Sequence, residues 1–475
     1  MRVLIFHGYL LAGTGSNVYN ARLAQALVDL GHEVHLICQE RHPERCSFAG
    51  ATGDWDRGEL RVRSLDHDRS SAGGSCTIYR PDIGGLLPVY VQDLYEGLQA
   101  RRFADCSDAE VAAYVLANVE AVREVAERVR PDVALANHLV MGPAILARAL
   151  SGLAPYAVKV HGSALEYTVK PEPERFLGYA SEGLAKAKTV LVGSNHTAQS
   201  LWRAMCDPQL PSRTRLGPPG VDVGTFRPRE GDAAAHGLAD LIDRLRSGHT
   251  RAADTEGAFA RDERMVAQAL EHVRSGEGEL VAFVGKLIGA KGVDLLLEAW
   301  PLILRERPQA RLVIIGFGAE RERFEAAAAQ FGDRVIFTGR LDHEELADVL
   351  PLCQALVVPS TFPEAFGMVA IEAAACGVLP ISAEHSGLAE VSEVLAEAVP
   401  QQARALLSFA IDEQTVPVIA TRVINWLGVD RRLREQTREA LVSVVRERWS
   451  WEGVASGVIA AAQGTSESPL ARAVG

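Results

Sequence analysis

Two lysines in the C-terminal half of the chain are spaced to bind one anion. Lys286 and Lys291 lie in a glycine-containing loop after the apolar run 280–284, which predicts a buried strand. Surface lysines are usually solvated, but two ammonium groups at the carboxyl end of a buried strand can converge on one anionic group. The loop is not a Walker phosphate loop, because Leu280 and Leu287 replace the first glycine and the Ser/Thr of that motif.

Two glutamates, Glu364 and Glu372, form the second candidate group. They lie eight positions apart, after the apolar run 355–358, which predicts another buried strand. One glutamate is expected in the loop after this strand and the other in the helix that follows, so that they frame a site from two sides. Glu372 is embedded in an apolar run, where a carboxylate rarely lacks a partner.

The helix that carries Glu372 is predicted to begin at Phe366, Gly367 and Met368. The first N–H groups of a helix have no partner within it, and the helix dipole favours negative charge there. Prolines at 359 and 363 favour a turn just before this point. The segment therefore predicts backbone amides that can receive an anion beside the two glutamates.

A third candidate lies near the N-terminus, in a loop with Gly13, Gly15 and Ser16 that follows the predicted strand 3–6. Glycines before a helix allow the backbone to approach a phosphate. A dinucleotide-binding loop is an alternative, with Glu40 as the ribose-binding acid, although the third glycine of that fingerprint is missing. A plain turn is the other alternative, and all three stay open at this point.

Two Asp-x-Asp pairs, Asp54/Asp56 and Asp66/Asp68, have a form that can hold a divalent metal beside a diphosphate. Neither pair follows a predicted strand directly. We therefore interpret both pairs as solvated loop acids and expect no metal site there.

The elements that must position these groups repeat one pattern, strand–loop–helix–strand, which is typical of parallel α/β sheets. The pattern stops after Pro218-Pro219-Gly220 and restarts at Leu280, which predicts two α/β units joined near 216–220. Between them, the alanine-rich segment 229–279 is predicted as a helical or flexible insertion. The predicted strands are 3–6, 34–38, 133–136, 156–160, 190–192, 280–284, 311–315, 335–338, 355–358 and 378–381, and the clearest predicted helices are 17–30, 108–129 and 293–306.

The 475-residue chain has a formal net charge of −12 that is unevenly distributed. Residues 1–215 hold 23 Lys/Arg and 24 Asp/Glu, a net charge of −1, whereas residues 216–475 hold 26 and 37, a net charge of −11. The pI near 5.6 does not favour a nucleic-acid partner. The half that carries the two candidate lysines is thus the acidic one, so any anion must be bound locally.

Seven cysteines without a CxxC pair, and a start without a signal-peptide pattern, predict a cytoplasmic protein with reduced thiols. The best candidate for a membrane span, 133–158, is interrupted by Asn137, His138 and Arg148, so no spanning helix is expected. Peripheral membrane contact and the oligomeric state stay open.

Glu364 and Glu372, with seven residues between them, resemble the Glu-x7-Glu signature of retaining GT-B glycosyltransferases, most closely family 4. The resemblance extends to Gly31-His32-Glu33-Val34, to Gly220-Val221-Asp222 and to the loop of Lys286 and Lys291. Matching pieces run from residue 1 to about 451, which is nearly the whole chain.

The architecture that this resemblance implies is GT-B: two Rossmann-like doubly wound domains that face a central cleft. The acceptor-side domain would comprise residues 1–215 and the C-terminal helix at about 450–475, which crosses back. The donor-side domain would comprise residues 216–449, including the insertion 229–279, to which the family pattern assigns nothing.

The resemblance also implies roles for single residues. Lys286 and Lys291 would hold the donor diphosphate and stabilise its departure, and Glu364 would bind the transferred sugar. Glu372 would bind the ribose hydroxyls, and His161, at a predicted strand end, would lie beside the reacting sugar. The other implied donor contacts are Gly13, Gly15, Ser16, Arg340, Leu341, Phe366, Gly367 and Met368.

The implied activity is transfer of a hexose from a nucleoside diphosphate sugar to an acceptor hydroxyl, with retained configuration and without a metal or resident cofactor. The donor base, the sugar and the acceptor stay open, and the acceptor would be a small molecule, a saccharide or a lipid-linked compound. One alternative is another GT-B enzyme, such as a sugar phosphorylase or a nucleotide-sugar epimerase. The remote alternative is an NAD-dependent oxidoreductase that uses the first glycine loop.

Overall fold

The computed structural model describes residues 1–12, 14–65, 73–90, 98–229, 232–248 and 261–465. The chain forms two compact units: unit 1 comprises Met1–Gly220 and the segment from Trp451 onward, and unit 2 comprises Val221–Ser450. Three subjects of the sequence predictions, Gly13, Asp66/Asp68 and the middle of the insertion, lie outside the described residues.

Unit 1 is built, within the described residues, on a nine-stranded sheet that is parallel except for one pair of strands. The strands of this unit are β1 Arg2–Phe6, β2 Glu33–Ile37, β3 Ala49–Asp56, β4 Glu59–Ser64, β5 Ser75–Arg80, β6 Leu86–Val89, β7 Gln99–Arg102, β8 Val133–Asn137, β9 Tyr156–Val160, β10 Thr189–Val192 and β11 Thr214–Leu216. Their order in the large sheet is β11-β10-β9-β8-β1-β2-β5-β3-β4, with β3 and β4 antiparallel, while β6 and β7 form a small parallel sheet of their own.

The helices of unit 1 pack on this sheet, and those at 108–129 and 195–205 begin with a side-chain cap. The helix at 108–129, for example, begins with a capping box in which Ser107 and Glu110 bond each other's backbone N–H groups. It ends at Arg130 in a left-handed conformation. The helices are α1 Gly15–Asp29, α2 Asp108–Val129, α3 Gly142–Ala149, α4 Pro173–Ala185, α5 Asn195–Met205 and α6 Leu210–Arg213.

Unit 2 has an all-parallel sheet of six strands within the described residues, in the order β14-β13-β12-β15-β16-β17. Its strands are β12 Leu280–Val284, β13 Arg311–Ile315, β14 Val335–Gly339, β15 Ala355–Val358, β16 Leu379–Ala383 and β17 Ser408–Phe409. Its helices are α7 Asp232–Ser247, α8 Glu263–Ser275, α9 Val293–Glu306, α10 Arg321–Ala328, α11 His343–Val349, α12 Met368–Ala375, α13 Ser386–Ala398, α14 Gln401–Arg404, α15 Thr415–Leu427 and α16 Arg431–Trp449.

The chain passes between the units twice, at neighbouring places. Within unit 2, Val221 pairs with Ser450 as an isolated bridge, and its N–H donates to the carbonyl oxygen of Trp449 at 2.7 Å. Within unit 1, Gly220 packs on the indole of Trp451 so closely that a Cβ there would lie 2.6 Å from the ring. The last helix, α17 Trp451–Gln463, then packs on α1, β8 and β9 of unit 1.

In each sheet the strand order reverses beside the first strand of that sheet. In unit 1 this point lies between β1 and β8, and in unit 2 it lies between β12 and β15. Ligands of doubly wound sheets bind outside the carboxyl ends of the strands at such points. His7 and Asn137 stand there in unit 1, and Lys286 and Glu364 are on the loops that leave it in unit 2.

The described part of the insertion forms the helices α7 and α8, which belong to the core of unit 2. They pack on each other, α7 contacts α11, and α8 covers the edge strand β14. Buried side chains of both helices, such as Leu241 and Leu270, join the hydrophobic core around the sheet. The helices α7 and α8 are therefore part of the body of this unit.

The interpretation of Asp54 and Asp56 as solvated loop acids is wrong, because both lie in β3. The Asp54 carboxylate accepts hydrogen bonds from Arg80 at 2.7 and 2.9 Å and from Arg63 at 2.9 Å. Cross-strand pairing of opposite charges explains these acids without a metal. The strands between residues 49 and 102 were not predicted at all.

The segment 133–158 forms a strand, a helix and the start of a second strand. In the described residues, no helix is both long enough and apolar enough to cross a membrane. All seven cysteines are free thiols.

Candidate functional site

In unit 2, the lysine loop after β12 is fastened to the loop after β15. The carbonyl oxygen of Ala290 accepts hydrogen bonds from the N–H groups of Thr361 and Phe362 at 3.0 and 3.3 Å. Gly292 has a φ of +69°, and a Cβ there would lie 1.9 Å from the carbonyl oxygen of Pro359. Only glycine permits this approach, so the backbone itself holds the two loops side by side.

This contact brings Lys291 onto Glu364. The ammonium of Lys291 donates to Oε1 of Glu364, and both side chains are partly exposed, at 29% and 23%. Lys286 is exposed, and within the described residues its ammonium has no carboxylate partner. The loop therefore presents one paired and one unpaired cation at the carboxyl edge of the sheet.

The backbone of Glu364 is held by the start of α13. Its N–H donates to Oγ of Ser386, and its carbonyl oxygen accepts from the N–H of Gly387, both at 2.9 Å. Nε2 of His385 lies 2.7 Å from the carbonyl oxygen of Ser360 and must carry a proton to bond it. In the neutral imidazole, Nδ1 then accepts from the Ser386 hydroxyl at 3.1 Å. Ser386 has a φ of +53°, an unusual conformation for a residue with a Cβ.

The N-terminus of α12 is left open by Gly367. This residue has a φ of +119°, and a Cβ there would lie 2.8 Å from the side chain of Leu388. Within the described residues, the N–H groups of Gly367 and Met368 have no hydrogen-bond acceptor. Phe366 is buried and packs edge-on against Trp449, with ring centroids 5.9 Å apart. Free amides at a helix start are suited to an anion.

Glu372 is 3% exposed, and its partner is His343. Nε2 of His343 lies 2.7 Å from Oε1 of Glu372, and the imidazole packs on the ring of Phe226 at 4.9 Å. The expectation that a carboxylate in this apolar run needs a partner is thus met by a histidine that the sequence did not single out.

The loop after β14 ends where His343 begins α11. In this loop Arg340 pairs with Asp342 at 3.0 Å, and Leu341 is buried with 8% of its surface exposed. The predicted base-binding residues therefore lie two and three positions from the residue that bonds Glu372.

In unit 1, the ends of three strands are joined by a chain of polar side chains. Nε2 of His161 lies 2.8 Å from Oδ1 of Asn137, whose amide nitrogen donates to Oδ1 of Asn20 at 2.7 Å. The amide nitrogen of Asn20 lies 3.1 Å from Nδ1 of His7, and Nε2 of His7 lies 3.0 Å from Oδ1 of Asn17. The chain of contacts thus runs from the end of β9 to the start of α1.

The contacts fix which nitrogen of His161 carries the proton. The amide nitrogen of Asn137 also donates to the carbonyl oxygen of Phe6 at 3.2 Å, so the other amide atom must be the acceptor oxygen. Nε2 of His161 therefore donates its proton to Asn137. Its Nδ1, which has no partner among the described residues, carries a lone pair.

These imidazoles are uncharged at neutral pH. Burial lowers the pKa of His7 to about 4, against smaller opposing contributions from its hydrogen bonds to Asn17 and Leu10. Burial also lowers the pKa of His161 well below its usual value, and His138 and Lys159 lower it further.

Two further buried groups adjoin this network. His138 is 2% exposed, its ring lies 4.7 Å from Tyr90 and 5.0 Å from His161, and neither ring nitrogen has a partner among the described residues. Lys159 is also 2% exposed and donates to the carbonyl oxygen of Gly217. Burial lowers the pKa of Lys159 to about 7.

Two family descriptions match the chain, one in each unit. Residues 14–210 match the glycosyl transferase 4-like domain, and residues 269–399 match glycosyl transferases group 1. The catalytic domain of starch synthase IV from Arabidopsis thaliana, bound to ADP and acarbose, superposes with a TM-score of 0.63. The superposition covers 98% of this chain and 99% of the other chain. Because the identity is 15%, it is evidence for the fold. Both units thus match glycosyltransferase domains, and the chain as a whole has the GT-B fold.

Curated relatives agree with this assignment. A D-inositol 3-phosphate glycosyltransferase of Segniliparus rotundus is 30% identical over 256 residues, which are 53% of this chain and 46% of that protein. The protein of the same name from Frankia alni is 28% identical over 364 residues, 71% of this chain and 80% of its own. By contrast, the chain spans less than half of the length of the Segniliparus rotundus protein and of three other curated relatives that it matches.

The predicted fold class, GT-B with two Rossmann-like units, is confirmed. Unit 2 brings Lys291 and Glu364 into contact, and it places Gly367 at the start of α12 and Glu372 within that helix. Gly15 and Ser16 form the first turn of α1 in unit 1, where the Ser16 carbonyl oxygen accepts from Asn20 at 2.9 Å.

Several polar partners in this GT-B protein were missed by sequence reasoning. Asn137 and Asn20 had a weak signal, as polar residues at a strand end and in the first helix. His343, His385 and Ser386 had none beyond their positions after strands. Among the described residues, no group of three His, Cys, Asp or Glu side chains is arranged to hold a metal ion.

Proposed function

We propose that this glycosyltransferase moves a hexose from a nucleoside diphosphate sugar to an acceptor hydroxyl, with retention of configuration and without a metal. The contact that carries the proposal is the one between Lys291 and Glu364. In the donor, the diphosphate and the sugar are bonded directly to each other. A cation for the first and a carboxylate for the second must therefore lie side by side, as these two residues do.

The diphosphate is assigned to the two lysines and the start of α12. Negative charge grows on the diphosphate as the glycosidic bond breaks. Lys291 is held by Glu364, and the open amides of Gly367 and Met368 are held by the backbone, before the reaction begins. Such preorganised groups stabilise developing charge most effectively, and Lys286 adds an unpaired cation on the same loop. The same groups supply the positive charge that a metal ion would otherwise provide.

The nucleoside is assigned to Glu372 and the loop after β14. Glu372 would accept hydrogen bonds from the ribose hydroxyls with the oxygen that His343 leaves available. Arg340 and Leu341 would contact the base. The test below determines whether the base is uracil, guanine or adenine.

His161 is assigned to a hydroxyl of the reacting sugar. Its Nε2–H is committed to Asn137, so Nδ1 would accept a hydrogen bond from the hydroxyl. The lowered pKa keeps this imidazole neutral, which avoids a positive charge that would compete with the lysines for the diphosphate.

The acceptor class is suggested by the names of relatives only. Several are called D-inositol 3-phosphate glycosyltransferase, and another is called mannosylfructose-phosphate synthase. A phosphorylated polyol or sugar therefore heads the panel of acceptors to be tested. Lys170, the exposed lysine near His161 in sequence, is already paired with Glu166 at 2.8 Å and offers no free charge for such a phosphate.

The test is a thermal-shift screen of UDP-, GDP- and ADP-sugars, followed by transfer assays with the stabilising donor and the acceptor panel in EDTA. Ligand binding to the folded state raises the melting temperature. We expect one base to be preferred and the product to keep the donor's anomeric configuration by NMR. Inverted product, or activity that vanishes in EDTA and returns with Mg²⁺, would refute the corresponding part of the proposal.

The same assay separates the alternatives. A sugar phosphorylase would require inorganic phosphate, and an epimerase would convert the donor without an acceptor. An NAD-dependent oxidoreductase would be revealed by NADH fluorescence titration. We place the reaction in the cytoplasm, consistent with seven free cysteines.

A further inference from the structure

Arg261, which lies in the insertion just before α8, forms a bidentate ion pair with Glu345. Its Nη1 lies 2.5 Å from Oε2 and its Nη2 lies 2.8 Å from Oε1 of that carboxylate. The two side chains are only 11% and 10% exposed. A bidentate arginine–carboxylate pair shielded from water is directional and strong, so it fixes the position of whatever Glu345 holds.

Glu345 holds the start of α11. Its Oε2 accepts the backbone N–H of Asp342 at 2.7 Å, as part of the capping box of that helix. Arg261 also lies 3.7 Å from the Asp342 carboxylate and 3.5 Å from the carbonyl oxygen of Arg340. The guanidinium of Arg261 therefore contacts Arg340 and Asp342 in the loop after β14, as well as Glu345 in α11.

The first residue of the helix capped in this way is His343, which bonds Glu372 at 2.7 Å. A continuous set of contacts therefore leads from Arg261 through Glu345 and the start of α11 to Glu372. Lys291 and Glu364 are not part of this set.

We propose that Arg261 is a positioning residue for the nucleoside of the donor, and that the insertion carrying it is a support of the nucleoside site. This inference rests on the proposed function, because it takes Glu372 and the loop after β14 to bind ribose and base. Arg261 itself touches no substrate. It acts by holding Arg340, Leu341 and His343 where a nucleoside diphosphate can use them.

The inference is tested with Arg261→Ala, Arg261→Lys and Glu345→Gln. The matched control is Arg274→Ala, which removes an exposed arginine that pairs with Glu271 within α8. The dissociation constants of UDP, GDP and ADP are measured by calorimetry, and KM and kcat with the corresponding sugar donor. Circular dichroism and melting curves show whether each variant is folded.

We expect Arg261→Ala to weaken binding of the preferred nucleoside diphosphate about tenfold, as the loss of a supporting contact does at other sites. The donor KM should rise in parallel with little change in kcat, because the groups around the diphosphate and sugar are left in place. Glu345→Gln should weaken binding to a similar extent. The double variant Arg261→Ala/Glu345→Gln should bind no more weakly than Arg261→Ala, because both changes break the same ion pair. Arg274→Ala should bind like the wild type.

A folded Arg261→Ala variant with wild-type nucleotide affinity would overturn the inference while leaving the proposed function standing. If Arg261→Ala does not fold, Arg261→Lys decides, because an ammonium cannot form two parallel bonds; wild-type affinity in that variant would also overturn it. If the wild type binds none of the three nucleotides, the proposed function itself fails.

Discussion

The two units place their candidate groups at the same point of a parallel sheet, but these groups are neutral in unit 1 and charged in unit 2. In unit 1 the groups beside the reversal of strand order are neutral: His161, Asn137 and His7 share one set of hydrogen bonds. In unit 2 they are ionic, with Lys291 against Glu364. The fold determines where a ligand can be bound, and burial decides which charge state the side chains adopt there.

The difference in burial is the physical cause. His7 and His138 are almost completely enclosed, and desolvation disfavours their charged forms. Lys286 is exposed, and Lys291 is partly exposed and paired with the Glu364 carboxylate.

The largest effect is expected from removing a charge in unit 2. Lys291→Ala should lower kcat/KM for transfer by about 10²- to 10³-fold, the range found when one preorganised donor to a developing oxyanion is lost. Glu372→Ala should abolish measurable transfer. Lys188→Ala, which removes an exposed lysine of unit 1, serves as the control. Near-normal turnover in both Lys291→Ala and Glu372→Ala would show that the charged groups of unit 2 are not needed for transfer.

A smaller loss is expected from disturbing the neutral network in unit 1. Asn137→Ala removes the acceptor that fixes the proton of His161 on Nε2, so kcat should fall by about 10- to 100-fold. His161→Ala should be no more active than this variant. The check is the steady-state rate of folded protein, and a wild-type kcat for Asn137→Ala would show that the orientation of His161 is unimportant.

The buried cation in unit 1 should lower stability, unlike the cations in unit 2. The pKa of Lys159 falls from 10.5 to about 7. Between these values the unfolded chain binds a proton that the folded chain lacks, so wild-type stability rises with pH through that range. Lys159→Met should be more stable by about 2 kcal/mol near neutral pH, and this advantage should shrink as the pH is raised further.

Urea unfolding across this pH range checks the Lys159 prediction. Lys188→Met is the matched control, since that lysine is exposed. A constant difference between Lys159→Met and wild type at all pH values would mean that Lys159 does not titrate near neutrality.

The smallest effect is expected at Asp54 in β3, which carries none of the candidate groups. Burial alone would raise the pKa of Asp54, but hydrogen bonds from Arg80 and Arg63 give it a net lowering from 3.8. The carboxylate therefore stabilises the fold above that value, and the contribution is lost as the pH falls through the lowered pKa. Asp54→Asn should cost about 1 kcal/mol at neutral pH, given its partial exposure.

The same variant tests the metal interpretation of this acid pair. Transfer by Asp54→Asn should equal that of the wild type, with or without EDTA. A loss of activity that Mg²⁺ restores would show that Asp54 takes part in a metal site of unit 1. The candidate groups of unit 1 would then not all be neutral.

Much of the sheet could be predicted because its strands are buried on both faces. The bounds of β9, β12, β13 and β15 agree with the predicted apolar runs, and the helix 108–129 agrees because its caps are written in the sequence. Strand β4, by contrast, buries only Leu60 and exposes the rest of its residues. Such an edge strand has no apolar pattern by which it could be recognised.

Of the site, the ionic residues could be predicted and their supports could not. Lys291 and Glu364 stand out because charged residues beside glycine or proline follow strands. His343 and Arg261 become important only through contacts with residues 29 and 84 positions away, at Glu372 and Glu345. Lys159 did leave a signal, as the single charge in the run 156–160, which burial on both sides turns into a perturbed lysine.

The pairing of Val221 with Ser450 makes unit 2 a continuous piece of chain whose two ends lie together. A segment of this kind can be cut out and spliced elsewhere at a surface loop without stretching its backbone. On the other side of the cut, Gly220 already packs on Trp451, so a short splice would close unit 1 behind it. We therefore expect that residues 221–450 can be exchanged as one segment between proteins of this fold.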